Sequence, residues 1–323
     1  MHAAQKVIGP ELLVFEQKFA GFMRSSAPLL DRIMRFIIRR KGKQLRPMFV
    51  FLAARIAGND QPISDQVYRA ASLIELLHTA TLVHDDVVDN AMVRRSFFSI
   101  NALWKNKIAV LVGDYLLSKG LLLSIDHGDF RVLQITSQAV KDMSEGELLQ
   151  MEKARRLDIS EEVYFQIIRA KTASLLASAC GSGAWSASED EDATARMRLF
   201  GEKVGVAFQI KDDLFDYGAD NIGKPTGIDI KEKKMTLPLI HALQQVDAST
   251  RRAMIYTVKN RNTDRKAVNE VIAQVVKAGG IEYAAEAMRR YIREAIDTLH
   301  TFPKTEARDA MEELVHYAIE RKY

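Results

Sequence analysis

Cysteine is nearly absent from this 323-residue chain, and so are long hydrophobic runs. The single cysteine, Cys180, excludes an intramolecular disulfide framework and a cysteine-rich zinc site. No stretch approaches the roughly 20 apolar residues that a membrane-spanning helix needs. Residues 1–10 show no signal-peptide pattern. We therefore expect a cytoplasmic protein.

Glycine and proline are also scarce, at 17 and 7 residues, which leaves room for long uninterrupted helices. The 46 basic and 42 acidic residues are spread along the chain and leave a net charge of +4. Because a nucleic-acid binder needs a concentrated basic stripe, we expect no nucleic-acid partner. The one basic run, residues 39–46, is typical of a solvated helix end, a substrate site or a contact with anionic lipid.

Apolar residues recur at helical spacing along almost the whole chain, whereas the alternation typical of strands is scarce. The pattern predicts an all-α protein, a single large helical bundle that forms one domain over residues 1–323. The predicted helices are 11–26, 29–40, 45–57, 64–89, 101–124, 129–151, 161–181, 188–217, 234–246, 249–260, 264–278, 281–300 and 304–321. The longest predicted loop is 218–233, and long loops inside a compact bundle are usually functional.

An acidic cluster ends the fourth predicted helix, with the sequence Asp85-Asp86-Val87-Val88-Asp89. Asp85 and Asp89 are one helical turn apart and share a face, so their carboxylates can converge on one cation. Sites built from carboxylate oxygens suit Mg²⁺. The alternative interpretation of this cluster alone is a solvated acidic helix end.

The same spacing recurs at Asp212, Asp213 and Asp216, again at the end of an apolar helix. Acids at this end face the negative pole of the helix dipole, which costs roughly a few tenths of a kcal/mol. Carboxylates on facing helices are a known way to build a metal cluster in a bundle. The repeat therefore favours a metal-binding function for both clusters.

Basic residues near helix starts and near the acidic clusters are candidate phosphate ligands. Lys43 and Arg46 surround a predicted helix start, and helix N-termini with cationic side chains bind anions. Guanidinium groups bind phosphate oxygens in a bidentate fork. The other candidates are Arg94 and Arg95 after the first cluster, Lys171 with Thr172, and Lys224 and Lys234 around the loop after the second cluster.

In this order, the motifs resemble the trans-type polyprenyl diphosphate synthase family, and the resemblance covers nearly the whole chain. The two acidic clusters, with the residues that precede them from His78 and from Gly205, are similar to that family's two aspartate-rich motifs. The other matching segments are 42–47, 112–115, 171–172 and 223–229. The resemblance implies an isoprenoid synthase-like helical bundle with a central apolar cavity, and a homodimer with helices 101–124 and 129–151 at its interface.

The resemblance also implies roles for individual residues. Three Mg²⁺ ions would bridge the allylic diphosphate, held by Asp85, Asp86, Asp89 and Asp212, with Asp213 and Asp216 in the second cluster. The residues implied to contact the allylic diphosphate are Arg94, Lys171, Gln209 and Lys234, and Thr172 and Lys224 are further substrate-binding candidates. Those implied to bind isopentenyl diphosphate are Lys43, Arg46, His78 and Arg95. The sequence departs from the family where Lys233 precedes Lys234, because the family usually has glycine there.

The predicted reaction ionises an allylic diphosphate, and isopentenyl diphosphate then attacks the carbocation. Cations stabilise the leaving group, and apolar walls exclude water. No side-chain nucleophile is needed, and the resemblance implies that released diphosphate takes the proton. A second expectation is contact with a membrane at its surface, because the product is insoluble in water.

Product length is predicted from the helix that precedes Asp85. In the resembling family, bulky aromatic residues at the positions of Ala80 and Thr81 stop chain growth early, and here both residues are small. A helix over residues 70–89 is about 30 Å long and flanks about six isoprene units. We therefore expect a long-chain product of the kind used as a quinone side chain. The candidates for the tunnel floor are Leu73, Ile74, Leu77, Leu133 and Ile135.

Several alternatives remain open from the sequence. Small residues at 80 and 81 also allow close helix packing, and a shorter farnesyl or geranylgeranyl product would fit the same motifs. A terpene cyclase has no second diphosphate to bind, so segment 42–47 favours a synthase. An inactive subunit of a heteromeric synthase would be expected to lose one acidic cluster. A helical interaction scaffold predicts no stabilisation by diphosphate and Mg²⁺.

Overall fold

The computed structural model describes residues 1–39, 42–94, 97–157, 159–218 and 226–320. Helices account for most of these residues, which confirms the predicted all-α class. The helices are α1 His2–Phe22, α2 Pro28–Arg39, α3 Leu45–Ala57, α4 Asp65–Val88, α5 Ile100–Ile125, α6 Phe130–Arg156, α7 Glu161–Ile168, α8 Ser174–Ser188, α9 Glu191–Phe215, α10 Ile228–Lys231, α11 Leu237–Gln245, α12 Ala248–Asn260, α13 Arg265–Lys277, α14 Gly280–Leu299 and α15 Glu306–Glu320. A π-helical turn, Arg169–Ala173, joins α7 to α8.

Besides the π turn, the start of α1, a short hairpin and α10 differ from the sequence-based prediction. Helix α1 begins at His2 and continues through Pro10 with a kink at Ile8, where φ is −122°. Proline inside a helix removes one hydrogen bond and bends the axis. Because proline usually marks a helix boundary, the sequence-based prediction began this helix only at residue 11. A short antiparallel hairpin, β1 Val93–Arg94 and β2 Phe97–Phe98, follows the first acidic cluster. Helix α10 lies inside the stretch predicted to be a loop.

The described residues form two compact units, each built from separate stretches of chain. The first unit comprises Met1–Val140, Ser178–Arg198 and His300–Glu313, and the second comprises the remaining ranges Lys141–Ala177, Leu199–Leu299 and Leu314–Tyr323. The single domain over residues 1–323 stays a prediction.

In the first unit, α4 packs tightly along α5. Ala80 is fully buried in a core cluster that includes Leu76 of α4 and Val112 of α5. Two glycines of α5 permit this close approach. A Cβ atom at Gly113 would lie 2.1 Å from the His84 ring, and one at Gly120 would lie 2.8 Å from a methyl group of Leu73. Close-packed interiors leave no space for such additions.

Helix α5 also corrects the expectation that no segment could span a membrane. By length and composition alone it is long and apolar enough to do so, and 39% of its most apolar window is buried. Asp114 and Lys119 interrupt that window, so no continuous apolar run is visible in the sequence. Buried core helices pass the same test.

Candidate active site

The first acidic cluster occupies the last turn of α4. Asp89 is the C-terminal cap residue, and its backbone N–H donates to the carbonyl oxygen of Asp85 at 2.8 Å. The side chain of Asp86 is buried, that of Asp85 is half-buried and that of Asp89 is exposed. The carbonyl oxygen of Asp86 accepts hydrogen bonds from the Asn101 side-chain amide at 3.1 Å and from the Ala91 N–H at 2.9 Å. These bonds fix the end of the helix that carries the carboxylates.

A cavity of about 710 Å³ lies beside this turn in the first unit. Its walls are mostly apolar and come from α1, α2, α4 and the start of α5, with Asp86 and His78 among the lining residues. Leu77, Ala80 and Thr81, which were predicted to set chain length, do not line it. Their role in chain length stays a prediction.

The predicted isopentenyl diphosphate ligands are only partly described. Lys43 is exposed and Arg46 half-buried at the start of α3, where Gln44 caps the helix with φ of 54°. His78 is buried on α4. The side chain of Arg94 and the whole of Arg95 and Lys224 lie outside the described residues. Their predicted contacts stay predictions.

The second unit gathers predicted ligands from separate parts of the chain around a pocket of about 210 Å³. Lys171 and Thr172 come from the π-helical turn, Gln209 and Asp213 from α9, and Lys234 from the segment before α11. Charged and polar groups that line a concave pocket with apolar walls are the usual composition of a ligand site.

A chain of hydrogen bonds runs through this pocket. The hydroxyl of Thr172 donates to Oε1 of Gln209 at 2.9 Å, and Nε2 of Gln209 donates to Oδ1 of Asp213 at 2.9 Å. The other oxygen of Asp213 accepts a hydrogen bond from the hydroxyl of Tyr164 at 2.7 Å. With both ends of its amide bonded, Gln209 is held in one orientation.

Two carboxylates of the second acidic cluster are engaged by the protein itself. Asp213 accepts the hydrogen bonds just described. The carboxylate of Asp216 accepts hydrogen bonds from the backbone N–H groups of Ile228 at 2.7 Å and Asp229 at 3.1 Å, at the start of α10. Burial raises the pKa of Asp213 to about 7, and the nearby charge of Asp229 adds to the shift. Burial likewise raises the pKa of Asp229 to about 6. These groups are costly to ionise here without a cation.

Two lysines of the pocket are paired with carboxylates. Nζ of Lys171 is paired with Oε2 of Glu147 on α6. Nζ of Lys234 lies 2.5 Å from Glu232 and 3.7 Å from Asp229. Glu147 was not predicted, because its partner is 24 residues away and its own neighbours carry no motif. Tyr164 was missed for a similar reason, because a buried tyrosine on an apolar helix resembles core.

The segment before Lys234 explains the departure at Lys233. Lys233 has φ of 59°, a left-handed conformation that favours glycine. The N–H of Lys234 donates to the carbonyl oxygen of Asp229 at 2.8 Å, and that of Lys233 to Ile230 at 3.1 Å, which closes α10. The backbone thus keeps a glycine-type turn although the side chain is lysine, and Lys234 still lines the pocket.

Among the described residues, no group of three or more acidic, histidine or cysteine side chains is already arranged to hold a metal ion. The carboxylate oxygens of Asp85, Asp86 and Asp89 are nevertheless the donor type that Mg²⁺ prefers, on one turn of one helix. The donor chemistry of this cluster therefore fits the ion.

Known proteins match the chain along its length. Residues 27–275 match the polyprenyl synthetase family. The octaprenyl diphosphate synthase of Escherichia coli is 34% identical over 98% of this chain and 96% of its own. The geranylgeranyl diphosphate synthase of Saccharolobus solfataricus is 28% identical over 94% of each chain.

A solved structure has the same fold. The polyprenyl synthase of Caulobacter crescentus, complexed with calcium and isoprenyl diphosphate, superposes with a TM-score of 0.90 at 30% identity, over 100% of this chain and 98% of that one. The predicted enzyme class, polyprenyl diphosphate synthase, is confirmed together with the isoprenoid synthase-like fold. Because the family matches most of the length of the chain, and because relatives resemble it from end to end, the chain belongs to the polyprenyl synthetase family.

Proposed function

We propose that the enzyme condenses isopentenyl diphosphate with an allylic diphosphate, head to tail and in trans geometry, in a Mg²⁺-dependent reaction. The observation that carries the proposal is the pocket in the second unit, where Lys171, Thr172, Gln209 and Lys234 meet. Two cations and two polar groups around one concavity match the charge of a diphosphate ester. The calcium and isoprenyl diphosphate in the Caulobacter relative support this substrate class.

The metal ions would be held by Asp85, Asp86 and Asp89 of the first acidic cluster and by Asp212 of the second acidic cluster. When bound, Mg²⁺ neutralises the diphosphate and lowers the barrier to its departure. Asp213 and Asp216 are engaged by Tyr164 and by the backbone next to α10. We therefore assign these two carboxylates to holding the site in shape.

The side chains of the pocket supply binding and orientation. Lys171 and Lys234 stabilise the negative charge that grows on the leaving diphosphate. Gln209, fixed by Thr172 and Asp213, presents its polar amide in one orientation. Apolar side chains around the reacting carbon keep water from the carbocation. The attacking group is the isopentenyl double bond, so the chain itself provides no nucleophile.

We further propose a long-chain product that serves as a quinone side chain, because Ala80 and Thr81 are small. The relatives differ in their products, so a shorter geranylgeranyl-type product is the alternative. We place the enzyme in the cytoplasm, with contact to a membrane surface when the insoluble product leaves. A homodimer through α5 would cover the exposed side chains Leu103, Val110, Leu111, Leu121, Leu122 and Ile125.

The decisive experiment incubates purified protein with farnesyl diphosphate, labelled isopentenyl diphosphate and Mg²⁺, then dephosphorylates and sizes the products. One long polyprenol at the end of a ladder is the expected result. Removal of Mg²⁺ with EDTA should stop incorporation, and added Mg²⁺ should restore it. A cyclised product would indicate a terpene cyclase, and intact farnesyl diphosphate would indicate a subunit that needs a partner. Either outcome would overturn the proposal.

A further inference from the structure

The π-helical turn that carries Lys171 and Thr172 is enclosed by two glycines from different helices. In a π turn the hydrogen bonds span five residues, and the N–H of Ser174 donates to the carbonyl oxygen of Arg169. Such turns are rare and widen the helix locally, so neighbouring structure must hold them in place. Here α6 contacts the turn at Ala170 and Lys171, and α9 contacts it at Ala173.

Gly146 of α6 lies against the π turn, and its lack of a side chain permits this contact. A Cβ atom at Gly146 would lie 2.8 Å from the Cβ of Ala170 and 3.0 Å from the backbone nitrogen of Lys171. The first distance is too short for two carbon atoms. A methyl group at position 146 would therefore clash with Ala170 and with the backbone of Lys171.

Gly205 of α9 makes an equivalent contact with the end of the turn. A Cβ atom at Gly205 would lie 2.6 Å from the Cα of Ala173 and 2.8 Å from its Cβ. Ala173 follows Thr172 directly and is fully buried, so it has no open space into which to retreat. The obstacle here is backbone, which moves less readily than a side chain.

We propose that Gly146 and Gly205 are positioning residues for the diphosphate ligands Lys171 and Thr172. By allowing α6 and α9 to contact the backbone of the turn, they fix the backbone positions from which both side chains extend. This inference rests on the proposed function, because it takes Lys171 and Thr172 as ligands of the allylic diphosphate. Small displacements of such groups cost much binding and rate.

Alanine substitution at each glycine tests the proposal. Gly146→Ala and Gly205→Ala should weaken binding of a farnesyl thiodiphosphate, a substrate analogue whose carbon–sulfur bond resists cleavage to the carbocation. They should also lower kcat/KM for farnesyl diphosphate by roughly tenfold or more. The KM for isopentenyl diphosphate should stay within a few-fold of the parent. Binding is measured by calorimetry with Mg²⁺ and turnover with labelled isopentenyl diphosphate, and thermal unfolding shows that each variant is folded.

Gly201 provides a matched control on the same face of α9. A Cβ atom there would lie 2.7 Å from the Leu176 carbonyl oxygen and 2.8 Å from the Ala177 Cα, in α8 beyond the π turn. Gly201→Ala should lower the melting temperature about as much as Gly205→Ala, and leave binding of the thiodiphosphate near the parent value. If all three variants bind the thiodiphosphate equally well, the glycines only pack helices and the inference is overturned.

A compensating substitution keeps the test decisive where Gly146→Ala unfolds. Ala170→Gly removes the shortest contact that a side chain at 146 would make and leaves the 3.0 Å approach to the backbone nitrogen of Lys171, so the double variant Gly146→Ala with Ala170→Gly should recover part of the binding that Gly146→Ala loses. Failure of this rescue would count against a local clash. In contrast, Ala173→Gly should not rescue Gly205→Ala, because the clash with the backbone at position 173 remains.

Variants of the ligands separate this inference from the function that it rests on. Lys171→Ala and Thr172→Val should weaken thiodiphosphate binding more than either glycine variant. If they bind as the parent does, the proposed ligand roles fail. If they weaken binding while the glycine variants behave as Gly201→Ala, only the positioning role fails.

Discussion

The ammonium group of Lys171 is paired with the carboxylate of Glu147, which follows Gly146 on α6. A diphosphate that binds Lys171 must therefore compete with this carboxylate. Both side chains are partly exposed, at 33% and 24%, so water screens the pair and its strength is modest.

Glu147→Gln should consequently tighten binding of farnesyl thiodiphosphate by about two- to fivefold, since an exposed ion pair is worth at most about 1 kcal/mol. Calorimetry at low ionic strength measures the effect. Glu145→Gln is the matched control, because Glu145 pairs with Lys141 at 3.7 Å on the exposed side of the same helix. Weaker binding by Glu147→Gln would show instead that the carboxylate orients the lysine for substrate.

Asp85→Ala should reduce condensation to about 1% of the parent rate or less, because one ligand of the charge-stabilising cluster is lost. The assay follows incorporation of labelled isopentenyl diphosphate at saturating Mg²⁺. Asp65→Asn tests the opposite end of the same helix, where the carboxylate makes an exposed pair with Lys18 at 3.0 Å, and should leave the rate unchanged. Activity of Asp85→Ala within a few-fold of the parent would exclude the cluster from catalysis.

A bulky residue beneath the first acidic cluster should shorten the product. Thr81→Phe is the cleaner test, because Thr81 is only half-buried. Ala80→Phe should also shorten the product, but its side chain must enter the packed seam between α4 and α5, at a cost of about 1–3 kcal/mol in stability. Chromatography of the dephosphorylated products reads chain length, and an unchanged polyprenol from a folded Thr81→Phe variant would refute the tunnel assignment.

Lys233→Gly should stabilise the enzyme by about 0.5–1 kcal/mol, because glycine adopts the left-handed conformation at φ of 59° without strain. Thermal unfolding measures the change, and turnover should persist because Lys234 keeps its backbone bond to Asp229. Lys231→Gly changes the last residue of α10, whose backbone is helical, so as the opposing control it should destabilise by up to about 1 kcal/mol. A lower melting temperature for Lys233→Gly would mean that the lysine side chain holds the turn.

Leu111→Asp should convert the proposed dimer into monomers, because the Leu111 side chain is 64% exposed on the apolar face of α5. A charge buried without a partner disfavours association strongly. Light scattering after gel filtration measures the mass. Val276→Asp changes an apolar residue on α13 that is 49% exposed, and should leave the mass unaltered. A monomeric parent would contradict the dimer directly.

Much of the fold followed from local pattern. The predicted helix over residues 64–89 is Asp65–Val88, and that over 161–181 corresponds to α7, the π turn and the first half of α8. Helical periodicity is a property of neighbouring residues, so the sequence carries it directly. The π turn was not predicted, and the two glycines that contact it, Gly146 and Gly205, lie 25 residues before Lys171 and 32 residues after Ala173.

The candidate site divides in the same way. The sequence by itself determined the acidic clusters at the ends of α4 and α9, because spacing on one helix places carboxylates together whatever surrounds them. Only the tertiary structure decided the partners of the site residues. Tyr164 reaches Asp213 from 49 residues away, and Glu147 reaches Lys171 from a different helix. Hydrogen bonds and ion pairs depend on distances of a few ångströms between side chains far apart in the chain, and those distances exist only after the helices have packed.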